Sequence, residues 1–292
     1  MSKTILVTGS SSGIGLSTVR LLLKKNHRVV AIVRDMNSIQ KLQSELNEFV
    51  GTNQLICLEL DLSNLKKIDQ LPFILKDSHQ IYHLDGLVNN AGIALAGPFL
   101  DQPFDEVQTM MQVNVLAVMK ITQVLLPLLK SIRSNETPSA YLAGRIVNIS
   151  SISGKSAAPF LSVYAASKHA IEGFSVGLRK ELTKLGIKVI VIGPGSIKTP
   201  IWDKGFAKLR NHYEKSIYRD PFDEFIKFAM TEKDKGLPVE TVSELILHVL
   251  TTDHPKKRYA PIPRKWLNWY LPLLIPDCIY DYLTTKALKL RF

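Results

Sequence analysis

Residues 5–16, Ile5-Leu6-Val7-Thr8-Gly9-Ser10-Ser11-Ser12-Gly13-Ile14-Gly15-Leu16, decide the fold. Ile5 to Thr8 reads as a short strand buried on both faces. Behind the glycines, Leu16, Val19, Leu22 and Leu23 recur at helical spacing. A strand, a glycine-rich turn and a helix are the first unit of a dinucleotide-binding fold. Glycine permits the tight turn and a close backbone approach, and the helix N-terminus draws a pyrophosphate. The spacing is Gly-x-x-x-Gly-x-Gly rather than the more general Gly-x-Gly-x-x-Gly. Glycines and serines can also make no more than a flexible turn, but the position directly behind the opening strand argues against that reading.

The same alternation continues outward. Strands are expected at Arg28–Val33, Gln54–Leu60, His83–Val88, Arg145–Ile149, Lys188–Ile192 and Arg258–Pro261. Helices are expected at about Met36–Phe49, Phe104–Ser131, Val163–Leu185 and Val239–Thr251. Strands alternating with helices predict an α/β fold, a doubly wound parallel sheet of about seven strands with helices on both faces. With no internal repeat or low-complexity linker, residues 1–292 are read as one Rossmann-type domain. Within it, 1–200 form the cofactor and catalytic core, 200–235 a substrate loop and 262–292 a C-terminal tail. Arg133 to Leu142, rich in Ser, Asn and Pro, reads as an exposed loop.

The 292 residues carry 37 Lys and Arg against 26 Asp and Glu, a net charge of +11. Such a balance raises nucleic acid or a membrane surface as partners. Cys57 and Cys278 are too few and too far apart for a disulfide framework or a metal site, so reduced thiols and no metal are expected. The chain enters its first strand at once, which leaves no room for a signal peptide's apolar run. No apolar stretch is read as reaching the ~18 residues that span a bilayer. A soluble, cytoplasmic protein is the expectation.

Tyr164 and Lys168 lie one helical turn apart in Tyr-Ala-Ala-Ser-Lys. A tyrosine with its ordinary pKa of ~10 is a poor acid or base at neutral pH. A lysine at i+4 on the same face favours the ionised phenol and makes Tyr164 a proton donor and acceptor for an alcohol or carbonyl. Taken alone, the spacing also describes an ordinary solvated helix face.

The residues that go with it run in order: Thr8-Gly9-x-x-x-Gly13-Ile14-Gly15, Asp61-Leu62, Asn89-Asn90-Ala91-Gly92, Asn114, Ser150-Ser151, Tyr164-x-x-Ser167-Lys168, and Pro194-Gly195 with Thr199. In these the chain resembles a short-chain dehydrogenase/reductase of the single-domain branch, over roughly residues 3 to 200. The resemblance implies a nicotinamide dinucleotide held by Gly9, Ser11, Ser12, Gly13, Ile14 and Gly15. It places Asp61 and Leu62 at the adenine, and Asn89, Ala91 and Gly92 beside the adenine ribose. Pro194, Gly195, Ile197 and Thr199 fall at the nicotinamide. It implies a catalytic set of Asn114, Ser151, Tyr164 and Lys168, with Ser151 preferred to Ser150 because it lies thirteen positions before Tyr164. Ser151 would hold the substrate oxygen and Tyr164 would move its proton. Lys168 would bind the nicotinamide ribose and lower the Tyr164 pKa. Asn114 would hold a water, or else serve as a helix-kinking backbone contact.

Cofactor choice is set where the second strand ends. Val33 stands there, followed by Arg34, and an apolar residue followed by a guanidinium suits a 2′-phosphate. NADP(H) is therefore favoured over NAD(H), although Asp35 follows at once and Ser12 stands where many phosphate-preferring relatives carry a basic residue. Trp202, Phe206, Leu209, Tyr213, Tyr218, Phe222, Phe225, Phe228 and Met230 predict an apolar substrate pocket. The expected activity is that of an oxidoreductase interconverting an alcohol and a ketone or aldehyde on a lipophilic substrate of retinoid, steroid or fatty type. The alternatives are a 3-oxoacyl-thioester reductase and a catalytically silent dinucleotide-binding regulator. In the basic tail, Trp266 to Pro276 combines interfacial aromatics with flanking charge. It resembles the tails of retinol- and steroid-dehydrogenase-type reductases. It reads as a pocket cover or subunit interface, with peripheral membrane contact as the other reading. No nucleic-acid recognition module accompanies the charge. A homo-oligomer, dimer or tetramer, is expected through the helices carrying Asn114 and Tyr164.

Overall fold

In chain order the elements are β1 (Thr4–Thr8), α1 (Gly13–Lys24), β2 (Arg28–Val33), α2 (Met36–Glu45), β3 (Leu55–Glu59), α3 (Leu65–Ile68), α4 (Leu71–Phe73), β4 (Gly86–Asn89), α5 (Phe104–Met111), α6 (Ala117–Leu129), β5 (Ile132–Ser134), β6 (Thr137–Tyr141), β7 (Arg145–Ile149), α7 (Ser162–Glu181), β8 (Lys188–Ile192), α8 (Arg219–Asp234), α9 (Val239–Thr251), β9 (Arg258–Tyr259) and α10 (Asp277–Ala287). The computed structural model describes residues 2–130, 132–134, 137–141, 143–199, 213–266, 269 and 274–290. Trp202, Phe206 and Leu209 of the expected substrate loop, and most of the tail's apolar run, lie outside the described residues.

Alternate residues of each central strand enter two different cores. Ile5 and Val7 of β1, with Val29, Ala31 and Val33 of β2, pack against Val19, Leu22 and Leu23 of α1 and Ile246 and Val249 of α9. Leu6, Val30 and Ile32 face the other way, onto Ala117, Ile121, Leu125 and Leu129 of α6. A strand buried on both faces has no polar alternation, which is why these segments read as continuous apolar runs. Each such side chain stabilises the fold by roughly 1.5–3 kcal/mol.

The seven-stranded sheet has the order β3-β2-β1-β4-β7-β8-β9, and every neighbouring pair is parallel. Strand order therefore reverses between β1 and β4, and a ligand crevice forms outside the carboxyl ends at such a switch point.

Several details depart from the expectations. Arg133–Leu142 is not a plain loop: β5 and β6 pair antiparallel, with Ile132 opposite Tyr141 and Ser134 opposite Thr137. The long helix expected to reach Ser131 ends at Leu129 and is interrupted by a π-helical turn at Gln112–Leu116. Helices α3, α4, α8 and α10 were not foreseen. The 26-residue span Phe104–Leu129 is also long and apolar enough to cross a membrane, contrary to the sequence expectation. Half of its most apolar window is buried inside the protein, because α6 lies across the sheet.

Gly15 marks the tightest approach of helix to turn. A Cβ there would run into the carbonyl oxygen of Gly9 and come within 2.6 Å of Asn90 Nδ2. Gly15→Ala should therefore destabilise the protein by ~1–3 kcal/mol, the scale of an overpacked core site. Urea denaturation at unchanged m-value checks this, and wild-type stability would show that the contact can relax.

Candidate active site

The floor of the crevice is a knot between the loops after β1 and β4. Thr8 Oγ1 accepts hydrogen bonds from the backbone nitrogens of Asn90 and Ala91, each at 3.0 Å. Asn90 Nδ2 donates in return to the carbonyl oxygens of Thr8 at 2.9 Å and Gly9 at 3.2 Å. Gly9 adopts φ +67°, and a Cβ there would lie 2.8 Å from Ala91 Cα, so both conformation and space demand glycine. Ser10 is buried beneath this turn, its Oγ donating to Val7 O at 2.9 Å. Ser11 and Ser12 are half-buried. Ser12 starts α1 without a side-chain cap, and no acidic residue stands in the first turn. A helix start with no side-chain cap and no carboxylate in its own first turn fits a pyrophosphate.

At the end of β2, Val33 is buried and the Arg34 side chain is 73% exposed. Asp35, whose carboxylate might have occupied a ribose, caps α2 instead: it accepts from Ser38 N at 2.8 Å and from Arg34 Nε at 3.1 Å. Those hydrogen bonds, Ser38 first and then Arg34, hold the Asp35 carboxyl below its ordinary range. Asp61 takes a hydrogen bond from Ser63 N at 2.9 Å, beside a buried Leu62.

Of the two adjacent asparagines, only Asn90 serves the knot. The Asn89 side chain points into the core, donating to Asn148 Oδ1 at 2.8 Å and Thr122 Oγ1 at 3.1 Å. Asn148 donates onward to Ser175 Oγ at 2.8 Å. This buried chain ties α6, β4, β7 and α7 together, and nothing in the motif spacing announces it. The hint is a polar residue inside the otherwise apolar strand Ile146-Val147-Asn148-Ile149.

The catalytic candidates converge from α7, the π-helical turn and the loop after β7. The turn buries Asn114, whose Oδ1 accepts from Ile93 N at 2.9 Å. Asn114 Nδ2 donates to Ile93 O at 2.9 Å and Ser167 Oγ at 3.1 Å. A Cβ on Gly92 would lie 3.2 Å from Asn114 Oδ1 and 3.6 Å from Lys168 Nζ, so this glycine adjoins both candidates. Lys168 Nζ donates to Ile149 O at 3.1 Å and stands 5.7 Å from the Tyr164 ring centroid. Ser151 Oγ accepts from Ser153 N at 3.1 Å and is hydrogen-bonded with Tyr164.

Burial governs the protonation of both groups. It pushes the Tyr164 phenol above its ordinary value, against the opposing hydrogen bond with Ser151, and it lowers Lys168 to about 8. In the chain without cofactor, desolvation disfavours the charged form of each group.

Tyr164 also belongs to an apolar cluster with Ala94, Ala96, Phe160, Leu161, Tyr213, Phe222 and Phe225. Phe160 is its hub, with ring centroids 5.3 Å from Phe222 and 5.7 Å from Phe225. Its φ of +66° is uncommon for a bulky residue.

The loop after β8 closes the other side. Ile152 N donates to Pro194 O at 2.9 Å, and Gly195 N to Pro261 O at 3.0 Å. Ile197 is buried and bridges to Leu237, and Thr199 N donates to Ile197 O at 2.8 Å. Glu172 and Arg258, absent from every motif, form an ion pair behind this loop, with the carboxylate buried and the arginine half-buried. Spacing alone could have drawn attention to Glu172, which continues the Tyr164–Lys168 stripe by one more turn.

A family model described as short chain dehydrogenase matches residues 3–210. The chain is 34% identical over 288 residues to the NADPH-dependent 3-dehydrocapnine reductase of Ornithobacterium rhinotracheale, covering 97% of this chain and 96% of that protein. It is 30% identical over 297 residues to the 17-beta-hydroxysteroid dehydrogenase type 6 of Rattus norvegicus, covering 95% and 87%. Among solved structures, the closed form of a serine dehydrogenase complexed with NADP+ superposes with a TM-score of 0.68 at 25% identity, over 88% of this chain and 93% of that one. The likeness therefore extends through the C-terminal third, where no motif is legible. Matched over most of its length by both the family and full-length relatives, this chain belongs to the short-chain dehydrogenases, NAD(P)-dependent oxidoreductases.

Proposed function

We propose that the protein interconverts an alcohol and a ketone or aldehyde on a lipophilic substrate with NADP(H), and that Tyr164 moves the proton. The observation that carries this reading is the position of the Tyr164 phenol. It is bonded to Ser151 and buried in a wall of Phe160, Phe222 and Phe225. An apolar wall beside a proton-transfer group suits a hydrophobic carbonyl compound. The similarity to a protein named as a hydroxysteroid dehydrogenase supports the substrate class.

The uncapped start of α1, the close glycine turn and the exposed Arg34 fit a phosphorylated dinucleotide. Gly9, Ser11, Ser12, Gly13, Ile14 and Gly15 would hold the pyrophosphate and Arg34 the 2′-phosphate. Asp61, Leu62, Ala91 and Gly92 would line the adenosine, with Asn89 acting through its backbone. Pro194, Gly195, Ile197 and Thr199 would line the nicotinamide. NADP(H) agrees with the NADPH named for one relative and the NADP+ held by one structural neighbour. A nicotinamide bound there supplies or accepts the hydride.

The remaining steps belong to the chain's own groups. Ser151 orients the substrate oxygen, and Tyr164 gives or takes the proton at that oxygen. Lys168 spends one of its three donors on Ile149 O, which leaves two for ribose hydroxyls. Asn114 has both amide protons and one acceptor site engaged, so at most one lone pair is left for a water. We also place a homodimer contact on the helices carrying Asn114 and Tyr164, where Phe104, Leu116 and Val176 are exposed.

Three outcomes check this reading. Tyr164→Phe should lower kcat by about 10²–10⁴-fold, the scale of general acid–base catalysis, with NADPH affinity intact; near-normal turnover would sink the assignment. Arg34→Ala should weaken NADPH binding by ~1.5–3 kcal/mol, the scale of a charge-assisted hydrogen bond, and leave NADH almost unchanged. Equal losses for both cofactors would refute the end-of-strand reading. In cofactor-free protein, the Lys168 ammonium should lose its proton with a midpoint near pH 8, followed by side-chain NMR of labelled lysine. A midpoint at the ordinary lysine value of ~10.4 would show that water reaches the site.

A further inference from the structure

Tyr164, Lys168 and Glu172 follow one another at i, i+4 and i+8 on α7, and all three are buried. The Glu172 side chain is 5% exposed, and its two oxygens share Arg258 Nε at 3.0 and 3.1 Å. Lys155 Nζ also lies 3.8 Å from Glu172 Oε2, beyond hydrogen-bond distance, so the Arg258 bonds are the close ones. Losing them from so buried a charge is strongly unfavourable, and the pair holds its two elements in register. Arg258 opens β9. The next residue's carbonyl, Tyr259 O, accepts from Gly193 N at 2.9 Å, which makes β9 the support of the 193–199 loop. A Cβ on Gly193 would collide with Arg258 Nη2 and lie 3.1 Å from Ser151 O. The guanidinium thus stands where the catalytic helix, the serine loop and the proposed nicotinamide loop meet.

One side of this guanidinium is closed by the tail. Arg258 Nη2 is buried and makes no hydrogen bond, and the Trp269 ring lies 4.8 Å from Arg258 Cζ. An aromatic face over a partly desolvated guanidinium strengthens cation–π attraction. We propose that Arg258 is a positioning residue that couples the C-terminal segment to the catalytic helix, with Glu172 holding it from one side and Trp269 covering it from the other. When Trp269 is seated, water is kept from the pair and α7 stays aligned with the serine and 193–199 loops. When it leaves, Nη2 hydrates and that alignment loosens.

The kinetic arm of the test rests on the oxidoreductase reading, so a second readout is independent of turnover. Trp269→Leu removes the aromatic face but keeps apolar cover at a half-buried position. It should lower kcat on a carbonyl substrate about three- to thirtyfold, the rate equivalent of a cation–π contact, with Tm unchanged. Hydrogen exchange should quicken in peptides spanning 150–156 and 193–199. Trp269→Phe should restore both. Wild-type exchange in Trp269→Leu, or failure of Trp269→Phe to restore it, would overturn the proposal. A wild-type protein without carbonyl turnover would count against the proposed function, and the exchange result would still decide the coupling.

Discussion

The site depends on the mutual hydrogen bonding of Thr8 and Asn90. Thr8 ends β1 and Asn90 directly follows β4, the two central strands between which the strand order reverses. A doubly wound sheet opens a crevice there, and the loops on either side would otherwise splay into solvent. Thr8 Oγ1 collects two backbone N–H groups from the β4 loop, and Asn90 Nδ2 collects two carbonyls from the β1 loop. The exchange lets the Gly9 backbone settle against Ala91, and it fixes the direction in which α1 presents its uncapped end. A hydrophobic residue at either position would remove these bonds, at a cost of ~1–3 kcal/mol for each group that stays buried without another partner.

A second constraint is desolvation. The sequence suggests an electrostatic pair in which lysine activates tyrosine, whereas the fold places both groups out of water. Their pKa values, close together in water, then move apart: the phenol rises, and the ammonium falls to about 8. What distinguishes the site is a buried aromatic wall, Phe160, Phe222 and Phe225, in the same apolar cluster as Tyr164. The same wall that would border an apolar substrate, on the proposed reading, keeps the Tyr164 phenol out of water. Binding and acid–base character thus come from one packing arrangement.

Much of the central architecture was legible in the sequence because buried parallel strands are apolar runs bounded by turn residues. Thr4–Thr8, Arg28–Val33, Arg145–Ile149 and Lys188–Ile192 have such boundaries. The glycine turn and the Tyr164–Lys168 pair were legible because their chemistry demands particular residue types at particular spacings. The division of labour between Asn89 and Asn90 was not, since neighbouring strand residues face opposite ways and spacing alone does not say which faces the crevice. The Glu172–Arg258 pair was hidden for another reason: its members lie 86 positions apart and meet only through the sheet. Helix α8 buries Phe222, Phe225 and Ile226 on one face, but charged residues dominate the rest of it, and α10 has a weaker periodicity than α6. The π-helical turn at Asn114 was masked by the continuous apolar pattern around it.

The antiparallel pair β5–β6 forms a two-stranded sheet of its own and leads into the amino end of β7, whereas the crevice lies at the carboxyl ends. Length can be added to that pair without displacing any strand end that bears a site residue. The β5–β6 pair and the crevice are thus separated by the length of β7. At the carboxyl end there is no such room: one methyl group on Gly9 or Gly15 would run into backbone.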